Sequence, residues 1–493
     1  MSSAFSCYNI ARTGMSANQN ALSVVSSNIS NADTTGYSRK QITSAEQVVQ
    51  TGTTSAGTGV DLQEVRRARN VFLDQTYRRQ NADSSYWETK SADFEDIQAT
   101  LNEFSADDGS SDNGLQQTLL NFFNSWSDLS TDPSSQSSRQ SVIEDADTLI
   151  NTLQDMDDQL QQLQYDCAAN VRDGVEQLNS LAQQVAKLNG LISQAELGGA
   201  EAGDLRDQRD TLLDQISSLA NITVSDSSNG VFEVSIGGVS LVRGMTVRKL
   251  TAAGDGSSEN PLTVQWADLG YSADITSGTI KAALEDCDQS SLQAIDAGSL
   301  PYNFSADSES SISNLRQGLN DMITTIADMV NELHSSGIDL DGNDGLDFFT
   351  AADSSQPLGI GNIQVNPELV NDLDKIVTSE SGGSGDNTIA EQICQLTDEE
   401  NFQFDGLSTD LNGFYQSLIS WVSTEGETAG SSYDTQSTLA QQVDSQRQSI
   451  SSVSLEEEMS KMITYQNAYN ACAKVLSTVD SLLEELIQDL GSR

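Results

Sequence analysis

The chain has 493 residues, of which 37% are hydrophobic, and a formal net charge of −49 at pH 7. This length is typical of about two to four domains, and the modest hydrophobic content favours elongated helical parts with much surface. The negative charge makes nucleic acid and anionic membrane surfaces unsuitable partners. The sequence also contains no run of about 18 apolar residues, the length that spans a membrane as a helix.

The five cysteines occur singly along the chain, at Cys7, Cys167, Cys287, Cys394 and Cys472. This spacing indicates neither a disulfide framework nor a zinc site. The first residues also lack the basic region and apolar run of a cleavable signal peptide. The sequence therefore predicts a chain that is either cytoplasmic or exported without such a signal.

The first predicted helix has a coiled-coil pattern, because its apolar side chains alternate in steps of 3 and 4. The seam consists of Ala4, Tyr8, Ala11, Met15, Asn18, Leu22, Val25 and Ile29. Asn, Asp and Gly residues at 31–37 predict the helix exit. Extended segments are then expected at 37–65, a helix from about 70 to 103, and a polar loop at 105–114.

Helices dominate the predicted middle, together with one β-rich insertion. A long amphipathic helix follows Pro133, and a second covers about 203–219, with Arg206 and Asp210 as a surface pair. Short alternating runs predict a β-rich domain at 222–300. A helix at 311–335, a loop-rich region near 337–400 and two helices at 405–423 and 433–450 complete the middle.

The last helix repeats the coiled-coil pattern of the first. Ser454 is its predicted N-cap, with Glu457 completing a capping box. The seam consists of Leu455, Met459, Met462, Gln466, Tyr469, Ala473 and Leu476, followed after an extra step of 3 by Val479, Leu483, Leu486 and Leu490. That extra step resembles a stammer, which locally overwinds a supercoil.

Neither terminal helix has the composition of a helix that is stable alone. Gly14 and many Ser and Asn residues lower the helix propensity of the first one. We expect both ends to be disordered in the monomer and to become ordered in an assembly. An antiparallel helix pair within one compact domain is the alternative that the pattern leaves open.

No catalytic constellation occurs in the sequence. The single histidine, His334, has no serine or cysteine nucleophile context, and neither a Walker loop nor a dinucleotide motif is present. Asp339, Asp341 and Asn343 occupy the first positions of a calcium-type loop, but Asp344 and Thr350 break that motif, which favours a simple turn. We predict no enzyme activity, no cofactor and no metal.

Both ends of the chain resemble the flagellar rod, hook and hook-associated proteins. Residues 21–39 match that family's N-terminal signature, and residues 455–486 resemble its C-terminal partner. The matching positions, predicted as family motif residues, are Asn28, Asn31, Thr34, Gly36, Tyr37, Tyr465 and Gln466. The interior resembles the FlgK type, found at the hook–filament junction, in the Asp204–Asp210 run and in Asp339–Gly342. Asn70 departs from it, since an Asp is usual there.

The resemblance implies a structural adapter that joins the hook to the filament. Such subunits leave the cell through the flagellar type III export channel, aided by an export chaperone, and are extracellular. Their expected partners are copies of the chain, the hook protein and the next junction protein toward the filament. The assembly interface implied for this chain comprises Ala11, Met15, Leu22, Val25, Ile29, Leu455, Met459, Met462, Tyr469, Leu476, Val479, Leu483 and Leu486.

The predicted fold class is multidomain α+β, with coiled-coil-like helical bundles and an inserted β-rich domain. We predict a terminal axial domain of residues 1–35 with 455–493, a mainly helical core of 36–221 with 301–454, and a β-rich outer domain of 222–300. Two alternatives remain: a hook or distal rod protein of the same architecture, and a non-flagellar acidic coiled-coil scaffold.

Overall fold

The computed structural model describes residues 2–51, 54–101, 114–199, 201–226, 232–257, 259–289, 292–293, 301–306 and 308–491. Within these ranges the chain is an α+β protein of long helices and small sheets. The helices are α1 (Ser2–Ser30), α2 (Val71–Leu101), α3 (Leu115–Thr131), α4 (Gln136–Ala195), α5 (Gly203–Leu219), α6 (Thr279–Asp286), α7 (Ser311–Ser336), α8 (Pro367–Asn371), α9 (Thr388–Gln395), α10 (Leu411–Ser451) and α11 (Leu455–Gly491).

The strands are short except in one hairpin. They are β1 (Lys40–Thr51), β2 (Thr54–Arg67), β3 (Thr223–Asp226), β4 (Phe232–Ile236), β5 (Val239–Arg243), β6 (Thr246–Val247), β7 (Leu250–Ala253), β8 (Thr263–Trp266), β9 (Tyr302–Phe304), β10 (Phe349–Ala351), β11 (Ile363–Val365), β12 (Phe402–Phe404) and β13 (Leu407–Thr409). Strands β1 and β2 pair antiparallel, as do β7 with β8 and β10 with β11, while β3 to β6 form an antiparallel sheet. In the remaining sheet, β12 pairs with β13 antiparallel and with β9 in parallel.

The chain divides into two compact units. Unit 1 comprises residues 1–82, 178–249 and 436–493, and unit 2 comprises 83–177 and 250–435. These boundaries differ from the predicted domains, because α1 packs against the β1–β2 hairpin as well as against α11. The predicted β-rich segment 222–300 is also divided, since β3 to β6 belong to unit 1 and β7, β8 and α6 belong to unit 2.

The core of unit 2 is built by α4 and α7. The predicted apolar stripe of α4 is buried at Leu149, Leu153 and Leu160, and α7 buries apolar side chains such as Leu319 and Ile323. Gly174 of α4 leaves room for Ile280, because a Cβ there would lie 2.9 Å from Ile280 Cγ1. Helix α6 therefore packs closely on α4, within the segment that the sequence predicted as β-rich.

Several predicted elements need correction. The two helices expected at 405–423 and 433–450 are one continuous helix, α10, which starts only after the β12–β13 hairpin. Helix α3 was not predicted, and the polar loop expected at 105–114 lies outside the described residues apart from Gly114. Gly426 lies inside α10, where it allows a close approach to α2, because a Cβ on it would lie 2.5 Å from Gln98 Nε2 and 3.4 Å from Phe94 Cβ.

Candidate assembly interface

The first and last helices of the described chain form an antiparallel pair in unit 1. Asn28, near the end of α1, donates a hydrogen bond from Nδ2 to Glu458 Oε2 near the start of α11, at 2.9 Å. Farther along, a Cβ built on Gly14 would lie 3.2 Å from Cys472 Sγ. Contacts that move up α1 as they move down α11 define the antiparallel direction. The alternative of a helix pair within one compact unit is therefore the arrangement in this structure.

The buried face of α11 follows a regular heptad and contains no stammer. Eight of its buried and half-buried side chains step alternately by 4 and 3 residues: Glu458, Met462, Tyr465, Tyr469, Cys472, Leu476, Val479 and Leu483. The predicted seam used Gln466 and Ala473 in place of Tyr465 and Cys472, and the extra step of 3 arose from that choice. Gln466 is exposed, so the stammer was wrong.

The predicted interface residues divide into a buried and an exposed group. On α1, Ala11 and Val25 are buried, and the half-buried ones are Met15, Leu22 and Ile29. On α11, Val479 is buried, and the half-buried ones are Met462, Tyr469, Leu476 and Leu483. Leu455 and Met459 are 48% and 57% exposed, and the side chain of Leu486 lies outside the described part. The role of these residues in contacts between subunits stays a prediction.

Further apolar side chains of the pair are exposed beside the seam. Ile463, Val475 and Leu482 of α11 are 60%, 46% and 58% exposed. Together with Leu455 and Met459 they leave apolar surface on both sides of the buried face. This set of five side chains, here called the flanking set, is apolar surface that the pair itself does not cover.

Asn28 joins three elements at the base of the pair. Its Oδ1 accepts hydrogen bonds from Tyr37 Oη and from the Lys40 backbone N–H, both at 2.9 Å. Its Nδ2 donates to the Lys40 carbonyl at 3.0 Å as well as to Glu458. Lys461 Nζ lies 2.7 Å from the other Glu458 oxygen. This Asn28 cluster (Asn28, Tyr37, Lys40, Glu458 and Lys461) fixes the exit of α1, the start of β1 and the start of α11.

The other motif residues shape the turn that follows α1. Asn31 Nδ2 donates to the Ser27 carbonyl at 2.9 Å, and Thr34 Oγ1 donates to Asn31 Oδ1 at 3.4 Å. Gly36 has φ +80°, and a Cβ there would overlap Thr211 of α5. Only glycine suits a position with a left-handed backbone and no room for a side chain. Of the two motif residues on α11, Tyr465 belongs to the seam and Gln466 does not.

A cluster of arginines and aspartates lies next to the turn that follows α1. Arg67, at the end of β2, places Nη1 2.8 Å from both Asp207 Oδ1 and Asp210 Oδ2 of α5. Asp207 also accepts from the backbone N–H of Ser38 at 3.0 Å and from its hydroxyl at 2.6 Å. The Asp207 carboxylate therefore ties the segment that follows α1 to the hairpin and to α5.

The same cluster continues into α2 and the last part of α10. Arg78 Nε lies 2.9 Å from Asp214 Oδ1, and its Nη2 lies 3.3 Å from Asp210 Oδ1. Arg447 Nη1 lies 2.6 Å from Asp214 Oδ2, and the guanidinium stacks 4.0 Å above the Tyr77 ring. The arginine–aspartate cluster thus consists of three aspartates of α5 with Arg67, Arg69, Arg78 and Arg447.

Charge neutralisation accounts for the pKa directions in this cluster. Burial alone would raise the pKa of the Asp210 carboxyl, but Arg69, Arg67 and Arg78 hold that pKa below its ordinary value. Burial would likewise lower the pKa of Arg447, and the nearby Asp214 raises it instead. Opposite charges therefore compensate one another inside unit 1, which is how buried charges become tolerable.

The sequence interpretation missed this cluster. It predicted a surface pair of Arg206 with Asp210, whereas Arg206 binds Glu196 at 2.7 Å and Asp210 is buried among arginines. The spacing of Asp207, Asp210 and Asp214 places all three on one helix face. An acidic stripe on an otherwise core-facing side of a helix is the signal that could have indicated buried cationic partners.

His334 and the turn that begins at Asp339, which the sequence analysis considered for catalysis and calcium binding, have structural roles. His334 is fully buried; its Nε2 accepts from the Val377 N–H at 2.9 Å and its Nδ1 bonds the Leu346 carbonyl. Burial lowers the pKa of His334 to about 4. In the predicted turn, Asp339 Oδ1 accepts from the Asn343 backbone N–H at 2.7 Å. Within the described ranges, no three His, Cys, Asp or Glu side chains group as metal ligands would.

None of the described helices combines the length and the apolar character that crossing a membrane requires.

Three family models match successive parts of the chain. Residues 105–349 match the helical domain of the flagellar hook-associated protein FlgK. Residues 9–37 match a flagella basal body rod protein model, and residues 444–489 match the C-terminal model of the FlgEFG basal body rod proteins. The two end matches contain most of the helix pair and all of the Asn28 cluster except Lys40, whereas the interior match contains all of α4 and α7.

Full-length relatives agree with these matches. Flagellar hook-associated protein 1 of Bacillus subtilis is 29% identical over 522 aligned residues, covering 100% of this chain and 99% of that protein. The protein of the same name from Salmonella typhimurium is 26% identical, covering 98% of this chain and 99% of its own length. In fold, the chain is similar to the flagellar hook junction protein FlgK of Burkholderia pseudomallei, with a TM-score of 0.61 and 15% identity over 76% of this chain and 100% of that one.

Proposed function

Because this chain belongs to the FlgK-type family of flagellar hook-associated proteins, we propose that it joins the hook to the filament by assembling through α1 and α11. Its structural role in the bacterial flagellum follows from the family. The mode of assembly, the individual partners and the route of export are the parts of the proposal that experiments must decide. The non-flagellar scaffold considered from the sequence is replaced by this family membership.

The flanking set is the observation that carries the proposal. Its five apolar side chains lie on both sides of the seam that holds α1, and each is between 46% and 60% exposed. Burying such a side chain against a neighbouring subunit would contribute about 1 kcal/mol. Repeated in every copy, these contacts would favour a ring or tube of helix pairs over separate monomers.

The partners proposed are copies of the chain, the hook protein and the next junction protein toward the filament. The names of similar proteins support them: the relatives are called flagellar hook-associated protein 1, and the structural neighbour is called a flagellar hook junction protein. We further propose type III export to the cell exterior without a cleaved signal peptide, with a chaperone bound before export. A catalytic activity has no place in this proposal, since the relatives are flagellar structural proteins.

Order on assembly is the second part of the proposal. The α1 helix contains Gly14 and many Ser and Asn residues, and the contact between Asn28 and Glu458 closes a loop of 430 residues. Both features weaken the pair in an isolated chain. Neighbouring subunits that cover the flanking set would stabilise the same pair.

A hook or distal rod protein remains the alternative within the family's architecture, because rod-protein models match both ends. The interior distinguishes the two assignments. The 245-residue match to the FlgK helical domain contains the whole of the 60-residue helix α4. We therefore place the chain at the junction and not in the hook or rod.

A gene deletion with complementation tests the proposal. Cells that lack this protein should make complete hooks without filaments, whereas loss of a hook or rod protein would remove the hooks as well. Complementation with Met459→Asp should fail, because a charge in the flanking set prevents apolar contacts between subunits. Asn467→Asp, which adds the same charge at an exposed polar position of α11, should restore filaments. Normal filament numbers with Met459→Asp would contradict assembly through this surface.

A further inference from the structure

The negative charge of the chain belongs almost entirely to unit 2. Unit 1 contains 18 basic and 21 acidic residues, so its net charge is −3. Unit 2 contains 6 basic and 52 acidic residues, so its net charge is −46. The two units therefore differ in charge far more than in size.

The few basic side chains of unit 2 do not neutralise the acidic side chains on its surface, because most of them bind other groups within the unit. Four form ion pairs with N–O distances of 2.7 to 2.9 Å: Lys90 with Asp286, Arg316 with Asp157, Lys281 with Glu285 and Lys375 with Glu368. A fifth, Arg139, is buried and donates to the backbone carbonyls of Pro133, Leu373 and Ile376. Only Arg172 is an exposed cation among the six.

Exposed carboxylates in unit 2 lie along one face of its longest helix, α4. Among the exposed acidic side chains on the α4 part of the unit, five follow one another at spacings of 3, 7 or 8 residues, namely Asp155, Asp158, Asp166, Asp173 and Glu176. Such spacings place all five on one face of the helix, where like charges repel. Summed over the unit, this repulsion opposes the compact state.

We propose that a diffuse atmosphere of small cations around unit 2 is required for its full stability, so that the stability of this unit rises with ionic strength. Screening shortens the range of repulsion from about 10 Å in 0.1 M salt to about 3 Å in 1 M salt. Unit 1 lacks this requirement, because its arginines and carboxylates neutralise one another within the arginine–aspartate cluster. The inference concerns folding of the chain and is independent of its place in the flagellum.

The distribution of tryptophan makes the proposal testable in the intact chain. All four tryptophans, Trp87, Trp126, Trp266 and Trp421, belong to unit 2, so their fluorescence reports the unfolding of that unit alone. Urea is uncharged and allows the salt concentration to be varied freely. The urea midpoint reported by tryptophan should rise steadily between about 0.1 M and about 1 M salt, with sodium, potassium and choline chloride giving similar shifts.

A variant with less surface charge separates screening from general salt effects. Replacing Asp155, Asp158, Asp166 and Asp173 by Asn and Glu176 by Gln should raise the midpoint in low salt and reduce its salt dependence. The matched control replaces three exposed acidic residues of unit 1, through Asp480→Asn, Glu484→Gln and Glu485→Gln, and should leave the fluorescence transition unchanged. The proposal fails if the wild-type midpoint ignores salt, or if wild type and variant share one slope. It also fails if the shift saturates at low concentrations of one divalent cation and monovalent salts have no effect.

Discussion

The side chain of Asn28 is fully engaged in hydrogen bonds. Its amide forms four, two as donor and two as acceptor, which is the capacity of that group. The residue is buried, so an unmade bond is not replaced by one to water. The sequence motif identified Asn28 and Tyr37, but their partner Glu458 lies 430 residues away and could not be paired with them from spacing alone.

Replacing Asn28 by Asp should disrupt the Asn28 cluster. Asp cannot donate from the Nδ2 position, and its carboxylate would face Glu458 Oε2 and the Lys40 carbonyl. We expect the α1–α11 pair to become less stable by about 2 kcal/mol or more. This loss should appear as fewer filaments per cell and as lower helicity of the assembled protein. Asn20→Asp, on an exposed part of the same helix, is the control, and equal behaviour of the two variants would contradict the role given to Asn28.

Asp93 of α2 is a carboxyl in unit 2 whose protonation the structure links to stability. Burial raises its pKa to about 7; the neighbouring Asp286 adds to this effect and Lys90 opposes it. Its Oδ2 has no hydrogen-bond partner among the described atoms. The folded state therefore holds a proton at a pH where an unfolded Asp, with a pKa near 3.9, has released it.

This difference predicts that unit 2 becomes less stable as pH rises. The contribution of Asp93 is fully present below the unfolded pKa and is lost as pH rises through about 7. Urea unfolding followed by tryptophan fluorescence should give a midpoint that falls between about pH 5 and pH 8. Asp93→Asn should flatten this fall, whereas Asp96→Asn, at an exposed position of the same helix, should preserve it. An unaltered pH profile in Asp93→Asn would exclude Asp93 as its source.

At the scale of elements, the terminal helices were predictable but the phase of their seam was not. When small polar and apolar residues are mixed along a helix, positions on two neighbouring faces can both follow steps of 3 and 4. The spacing alone therefore does not tell which face packs against the partner helix. Burial selects Tyr465 over Gln466, and the approach of Cys472 Sγ to Gly14 of α1 selects Cys472 over Ala473, which restores a regular heptad on α11. The sequence also predicted two helices where α10 is continuous, and Gly426 within α10 lies against Gln98 and Phe94 of α2.

A cysteine in place of Gly14 would test the register of the helix pair. A Cβ at this position lies 3.2 Å from Cys472 Sγ, a separation suited to a disulfide. With an added oxidant, Gly14→Cys should cross-link to Cys472 in assembled filaments, seen as a mobility change on non-reducing gels. The double variant Gly14→Cys/Cys472→Ser should not cross-link.

The same variant examines whether the ends become ordered on assembly. In a dilute monomer with disordered ends, the Gly14→Cys cross-link should form more slowly than in filaments, because the two thiols meet less often. Equally fast cross-linking in both states would show that the pair is already formed in the monomer, against that part of the proposed function.

For the whole molecule, local patterns predicted most of the long helices, the extended segments of the long hairpin and the family. The division into units was not predicted, because it depends on contacts between distant parts of the chain. Arg67 meets Asp210 across 143 residues, and Arg447 meets Asp214 across 233. The aspartates on one face of α5 indicate that basic partners are needed. The spacing of residues along the chain does not tell which distant arginines these partners are.

The composition of unit 1 has a consequence for the history of each molecule. Its first segment ends at residue 82 and its last begins at residue 436, so all of unit 2 is synthesised before the unit can close. A chain truncated before α11 could still supply every residue of unit 2, yet α1 would have no partner and Asn28 no Glu458. A chain that stops short of α11 therefore cannot form the helix pair, and it also lacks the flanking set proposed to contact neighbouring subunits.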